Sequence, residues 1–321
     1  MKETANETEA LRAPAPFSRG ERLLPYASLI DNPMPVYVNR VHESFDLRMH
    51  AHDFIEICLV AEGSGFHYLD TEQMAVTRGD LFFIPIGISH VFRPAAKGQP
   101  LVLYNCILTA EQLNSLLLAV QAEPGLVSFF NERGAGKAWF HLHDRGEEAQ
   151  RLFRRLHREF SDRRPGSAAA LCALTVELLV QLYRQQIEGP ERAPSDPEMP
   201  AASMQELLAY IGANCSAELL AGDMAAKLGI GERQFQRSFK RATGVTFLDF
   251  VQSARIDIGC RLLLETTDKI SAIAARSGYQ DTKFFNRLFK KKTGVTPRQY
   301  RASLNLPQPP RLPAQTGQEL D

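Results

Sequence analysis

The chain has 321 residues, 44% apolar and 23% charged, enough for two soluble domains with separate cores. Lys+Arg and Asp+Glu balance at 37 each, but unevenly: residues 1–190 hold 19 basic against 23 acidic side chains (−4), and residues 204–303 hold 16 against 9 (+7). No apolar run approaches the roughly 18 residues of a membrane span, which argues against a membrane partner.

Residues 1–30 open the chain as an arm whose start, MKETANETEALRAPAP, is polar and acidic and lacks the apolar core of a secretion signal. Cys58, Cys106, Cys172, Cys215 and Cys260 are odd in number and scattered, the pattern of free thiols in a reducing cytoplasm. Residues 31–145 then change to short β-type runs: VYVNRV, FIEICLV, FHYLD, MAVT, DLFFIP and LVLYNCIL, divided by Gly, Pro and Asp turns. Many short strands with regular turns predict a small barrel or jelly roll. Within them lie His50-x-His52-x3-Glu56-x6-Gly63 and Gly79-x5-Pro85-x-Gly87-x2-His90.

These two stretches resemble the paired motifs of the cupins with their short fifteen-residue spacer, although Pro94 stands where the second motif closes on Asn. The resemblance covers about residues 35–108 and implies a cupin-like β-barrel. In such a barrel His50, His52, Glu56 and His90 form a recognisable set of ligands for a divalent metal. Metal cupins include dioxygenases and isomerases, so a metal-dependent enzyme with a helical docking domain is the competing reading. His141-x-His143 is a second such pair without an acidic partner at useful spacing, and it reads as a strand edge.

Helical periodicity follows over residues 146–187. Leu152, Leu156 and Phe160 form one stripe, and Leu171, Leu174, Leu178 and Leu182 another, with Thr175 as a polar interruption. Either stripe serves as core or as a dimer contact. EGPERAPSDPEMPAAS, residues 188–203, has four prolines and no periodicity, and reads as a linker.

Residues 204–303 carry a repeat. FQRSFKRATGVT at 235–246 returns as FNRLFKKKTGVT at 285–296, identical at eight of twelve positions. Phe235 and Phe239, and likewise Phe285 and Phe289, share one helical face and leave the basic residues outward. Gly244 and Gly294 stop the two helices. A short Ala-rich helix and a glycine turn precede each copy, at Gly229 and Gly278, so the pattern predicts two helix-turn-helix units in tandem. Between them, residues 246–266 predict a helix of about 19 residues and so about 28 Å. Successive major-groove openings on one face of DNA lie about 34 Å apart, so a stiff bridge of this length would set two readers on one duplex. Gly259 within it is expected to soften the bridge by up to about 1 kcal/mol relative to Ala. The tail, residues 304–321, reads as disordered.

Residues 220–301 resemble the DNA-binding domain of the AraC/XylS family of bacterial transcription regulators. Ile273, Ala274, Gly278, Tyr279, Asp281, Phe285, Arg287, Phe289, Lys290, Gly294, Pro297, Tyr300 and Arg301 match its second motif, and Phe247 stands where a proline is frequent. The resemblance implies an α+β protein of two domains: a cupin-like sensor and an all-α tandem helix-turn-helix reader. By position it assigns base reading to Arg233, Gln236 and Arg237 in the first unit, and to Thr282, Lys283, Asn286 and Arg287 in the second. The chemistry agrees, since Arg suits guanine and Asn or Gln suits adenine. Lys240, Arg241, Lys290, Lys291 and Lys292 suit phosphate. The partners implied are double-stranded DNA, RNA polymerase, a second copy of the chain and a small-molecule effector.

Within the family the sensor text is most similar to the rhamnose-responsive activators, which points to a monosaccharide effector. Its hydroxyls would meet Arg48, His50, His52, Glu56, Tyr68 and His90. On this reading the barrel is a pocket with no catalytic residue and no required cofactor, and the metal stays an alternative.

Overall fold

The computed structural model describes residues 22–26, 34–45, 47–69, 72–135, 138–188 and 201–303. Most of the 1–30 arm, the centre of the expected linker and the 304–321 tail lie outside the described residues.

Among the described residues, nine strands build the N-terminal domain: β1 (Arg22–Leu24), β2 (Tyr37–His42), β3 (His50–His52), β4 (Ile55–Leu69), β5 (Glu72–Thr77), β6 (Asp80–Ile84), β7 (His90–Pro94), β8 (Leu101–Leu108) and β9 (Phe140–His143). β1 pairs in parallel with β3; every other pairing is antiparallel. The runs FIEICLV and FHYLD, expected as two strands, are one 15-residue strand. β4 changes partners along its length, from β6 and β8 to β5 and β7, across a register shift between Val60 and Glu62. Gly63, at φ +82°, permits the bend: a Cβ there would lie 1.8 Å from the Pro100 carbonyl oxygen.

Alternation along β4 sorts the layers. Ile55, Ile57 and Leu59 face helices α1 (Ala110–Leu118), α2 (Pro124–Ala135), α3 (Glu148–Asp162) and α4 (Ser167–Ile187) in one core. Cys58, Val60 and Leu69 point into the barrel beside Phe82, Phe92 and Leu103. Phe66 and Tyr68 point the other way, into a core shared with the C-terminal domain. Each sheet is thus covered on its outer face, which accounts for its buried, nearly continuous apolar strands.

The stripes on α3 and α4 belong to that first core. Leu152, Leu156, Phe160, Leu171, Leu174, Leu178 and Leu182 are all buried in the chain's own core. Thr175 is buried among them, its hydroxyl donating to the Leu171 carbonyl at 2.8 Å. By length and apolarity α4 passes for a membrane span, against the sequence expectation, but its leucines are packed in this core.

The C-terminal domain is all helix: α5 (Ala201–Asn214), α6 (Ala221–Lys227), α7 (Glu232–Thr243), α8 (Phe247–Glu265), α9 (Ile270–Arg276), α10 (Thr282–Thr293) and α11 (Pro297–Ser303). The last three residues of the expected linker already belong to α5. The two helix-turn-helix units are α6–α7 and α9–α10, with α8 bridging them. Gly244 and Gly294 close the reading helices at φ +73° and +86°, as the repeat predicts. Gly259 has a different role from the one expected. It is buried on α8, where a Cβ would lie 3.1 Å from Cε2 and Cζ of Phe285. The glycine admits close approach of the second reading helix.

Candidate functional site: a buried histidine cluster and a tandem pair of helix-turn-helix units

Three elements bring the barrel cluster together. β3 places His50 and His52 on one face, since they are two residues apart. Glu56 turns inward from β4, opposite to its neighbours Ile55 and Ile57. His90 comes from β7, paired with His50. His52, Glu56 and His90 are 0%, 7% and 2% exposed.

The donor atoms converge. His52 Nε2 lies 3.2 Å from His90 Nε2 and 3.5 Å from Glu56 Oε2, and His90 Nε2 lies 3.2 Å from Glu56 Oε2. His52 Nδ1–H donates to the Phe54 carbonyl at 2.7 Å. A carbonyl only accepts, so Nδ1 carries a proton and Nε2 is the atom turned toward the cluster. Glu56 beside it offers lone pairs. A shared positive group reconciles them, either a proton on the imidazoles or a metal ion. Burial alone would raise the Glu56 carboxyl; the His52 and His90 imidazoles outweigh it and hold it well below the usual range.

His67, which sequence reasoning passed over, completes the cluster: its Nε2 lies 3.2 Å from His90 Nδ1, and its ring stacks on Phe92 at 3.6 Å. Its Nδ1 is buried without a hydrogen-bond partner. Burial, then His90, pushes the His67 pKa well down. The signal was available in the alternation of β4, where His67 shares the inward face with Leu69. His50 stands slightly apart, its Nδ1–H donating to the Arg48 carbonyl at 2.9 Å, and burial followed by His90 lowers it to about 3.

Tyr68 is not in this cluster. It points outward between the barrel and the helical domain, because β4 alternates and His67 takes the inner face. His141 and His143 do have an acidic partner. The β6–β9 pairing sets Asp80 opposite His143, and Asp80 Oδ1 accepts from His141 Nε2–H at 2.9 Å and His143 Nδ1–H at 2.8 Å.

On the reader, Arg233, Gln236 and Arg237 of α7 are exposed, as are Lys283 and Arg287 of α10; Thr282 and Asn286 are half-buried. Gln236 Nε2–H donates to Glu232 Oε1 at 3.0 Å, one turn back on the same helix. Asp281 caps α10, its Oδ1 accepting from the Lys283 and Phe284 backbone N–H groups at 2.7 and 3.2 Å. Lys240, Arg241, Lys290 and Lys291 are exposed at the helix ends. Lys292 departs from its expected phosphate role. It is 6% exposed, and its Nζ donates to the Ala95 carbonyl at 3.0 Å and Ser253 Oγ at 3.2 Å.

Residues 36–179 match the AraC-like ligand binding domain family, and residues 224–303 match a helix-turn-helix domain family. The chain is 28% identical over 253 residues to the HTH-type transcriptional activator RhaR of Escherichia coli (strain K12), spanning 78% of this chain and 86% of that relative. RhaR of Shigella flexneri is 27% identical over the same length. Among solved structures, ToxT from Vibrio cholerae O395 is similar over 84% of this chain and 97% of its own, at 13% identity and a TM-score of 0.32. The DNA-binding domain of AdpA, solved with a target DNA, is similar over 32% of this chain and 91% of its own, at 24% identity and a TM-score of 0.31. The chain therefore belongs to the AraC family of transcription regulators, with an AraC-like ligand-binding domain joined to a helix-turn-helix DNA-binding domain.

Proposed function

We propose that this regulator is a cytoplasmic activator that works as a homodimer with RNA polymerase and senses a monosaccharide in its barrel. The observation that carries the reading is the buried His52–Glu56–His90–His67 cluster on the inner wall of a domain joined to a DNA reader. Imidazoles and a carboxylate give the donors and acceptors that sugar hydroxyls require, set among apolar walls. The likeness to RhaR, a transcriptional activator, supports the sign of regulation. Family membership favours a regulator over the cupin enzyme. Arg48 contributes its backbone carbonyl at the edge of the site.

The test is calorimetry and thermal melting of the full chain with a panel of aldoses and deoxy-sugars, beside a transcription reporter. One sugar should raise the melting temperature and reporter output together, since saturation at 100 times Kd adds about 2.7 kcal/mol to stability. A chain whose melting and transcription ignore the whole panel would refute the sugar reading.

A divalent ion at the same cluster is supported by the donor distances. Tetrahedral sites with bonds of about 2.0–2.1 Å separate their donors by about 3.3–3.4 Å, against 3.2, 3.2 and 3.5 Å between the atoms of His52, Glu56 and His90. The Phe54 carbonyl and His67 would orient the two imidazoles from behind. Cobalt(II) titration of the full chain should show one tetrahedral-type absorption that His52→Ala removes and His143→Gln leaves. Absorption lost with His143 instead would move the ion to the surface pair.

A further inference from the structure

Sheet alternation makes one face of β7 and β4 the wall of the histidine cluster and the other a seam with the reader. Phe66 pairs with Arg93 and Tyr68 with Val91, all directed at the helices. The seam reaches α7, α8, α10 and α11 of the reader. The Phe66 ring meets Phe250 of α8 edge-on at 5.6 Å, in a core that includes Phe235 and Phe239 of α7. Thr77 lies against Gly244 at the end of α7. Arg93 Nε lies 3.5 Å from Asp257 Oδ1 in the middle of α8, and both side chains are buried. The guanidinium also donates to the Ser44 and Leu47 carbonyls. At the far end, Lys97 N–H donates to the Lys292 carbonyl at 2.9 Å, Lys292 Nζ returns to the Ala95 carbonyl, and the Tyr300 hydroxyl donates to the Phe45 carbonyl at 3.2 Å.

Two features show what this seam is for. It grips the C-terminal ends of both reading helices and leaves Arg233, Gln236, Arg237, Lys283 and Arg287 exposed. It also places a buried Arg93–Asp257 pair and a buried Lys292 beside its apolar core. A buried ion pair adds little stability but fixes one geometry. Lys292 belongs to the second copy alone, for Ala242 stands at its place in the first.

We infer that the barrel is a positioning platform that sets the spacing of the two reading helices, with Arg93 and Lys292 as positioning residues that never touch DNA. The bridge helix α8 joins the readers; the seam fixes their relative register. Because Arg93 lies three residues from His90 on the same short strand, the platform is attached to the wall of the sensing cluster.

The test uses the full chain and a duplex selected from a random library by the wild-type protein, then rebuilt with one or two base pairs inserted between the stretches covered by α7 and α10 of one chain. Wild type should lose tenfold or more in affinity on the rebuilt duplexes. Lys292→Ala, which restores the first copy's residue, and Arg93→Met should narrow that difference to about threefold. Binding to a duplex that keeps only the stretch covered by α7 should stay at the wild-type level, a readout that general unfolding would not leave unchanged. An unaltered spacing profile in Lys292→Ala would overturn the inference. So would tighter binding of either variant to the original duplex, since the seam would then restrain the readers from DNA.

Discussion

Replacing Gly259 by Ala sets two known effects against each other within one helix. Propensity alone would stabilise α8 by about 1 kcal/mol, because an interior glycine costs that much relative to alanine. The new Cβ, however, would sit 3.1 Å from two ring atoms of Phe285 and 3.6 Å from Ser277 Oγ. Phe285 is fully buried, with Tyr279 and Phe289 each 5.6 Å away between ring centroids, so it has little room to retreat. Overpacking of this kind costs about 1–3 kcal/mol. The expected net effect of Gly259→Ala is a loss of about 1 kcal/mol. A shift of α10 should also carry Lys283 and Arg287 out of line and weaken DNA binding several-fold. Urea melting and DNA titration of the full chain measure both. Gly259→Ala/Phe285→Leu should recover part of the loss, since residues in contact couple. A variant about 1 kcal/mol more stable than wild type, with unchanged DNA affinity, would refute the close-approach reasoning.

Further outcomes are expected elsewhere. Arg287→Ala should cost roughly 1–3 kcal/mol on the selected site and relax preference at one base pair, measured by titration against a set of point-substituted duplexes. DNA affinity should fall steeply with salt as counterions are released, with a shallower slope after Lys290→Ala. The Asp80–His143 pair should give stability a pH dependence. Burial opposes ionisation of Asp80, but the hydrogen bonds from His141 and His143 hold it down at about 2, while the bond to Asp80 raises His143. Asp80 therefore loses its contribution as pH falls from 3.8 towards 2, and His143 loses its own as pH rises above 6.5 through its raised value, with Arg145 and Asp144 as the other charges nearby. His143 is 44% exposed, so the effect is worth only about 0.2–1 kcal/mol, and His143→Gln should flatten stability near neutral pH in urea melts.

The reader was legible because its signals are local. Phenylalanines four apart, a glycine after each basic helix and a repeat at constant offset all act within one helix or turn. The structure adds a detail the repeat alone did not show: the first helices of the two units start 49 residues apart and the reading helices 50, so the second turn is one residue longer. The histidine motif was legible for the same reason, as two residues apart on a strand share a face.

What escaped depends on contacts distant in the chain. Asp80 and His143 are 63 residues apart, and only antiparallel pairing joins them. Tyr68 and His67 take opposite faces according to the direction of a strand whose continuity through Gly63 was not foreseen. Lys292 resembles its exposed neighbours in sequence, and nothing local says that the barrel lies against it. The leucine stripes on α3 and α4 are apolar faces by their spacing alone, but whether such a face meets the same chain or another copy is not written in its period.

The central claim is that α7 and α10 engage two adjacent major-groove openings of one duplex. Hydroxyl-radical and methylation-interference footprinting of the full chain tests it most directly. Each chain should leave two protected patches about one helical turn apart on the same face of the DNA, the first erased by Arg237→Ala and the second by Arg287→Ala. A single patch, or two patches that both variants weaken equally, would contradict it.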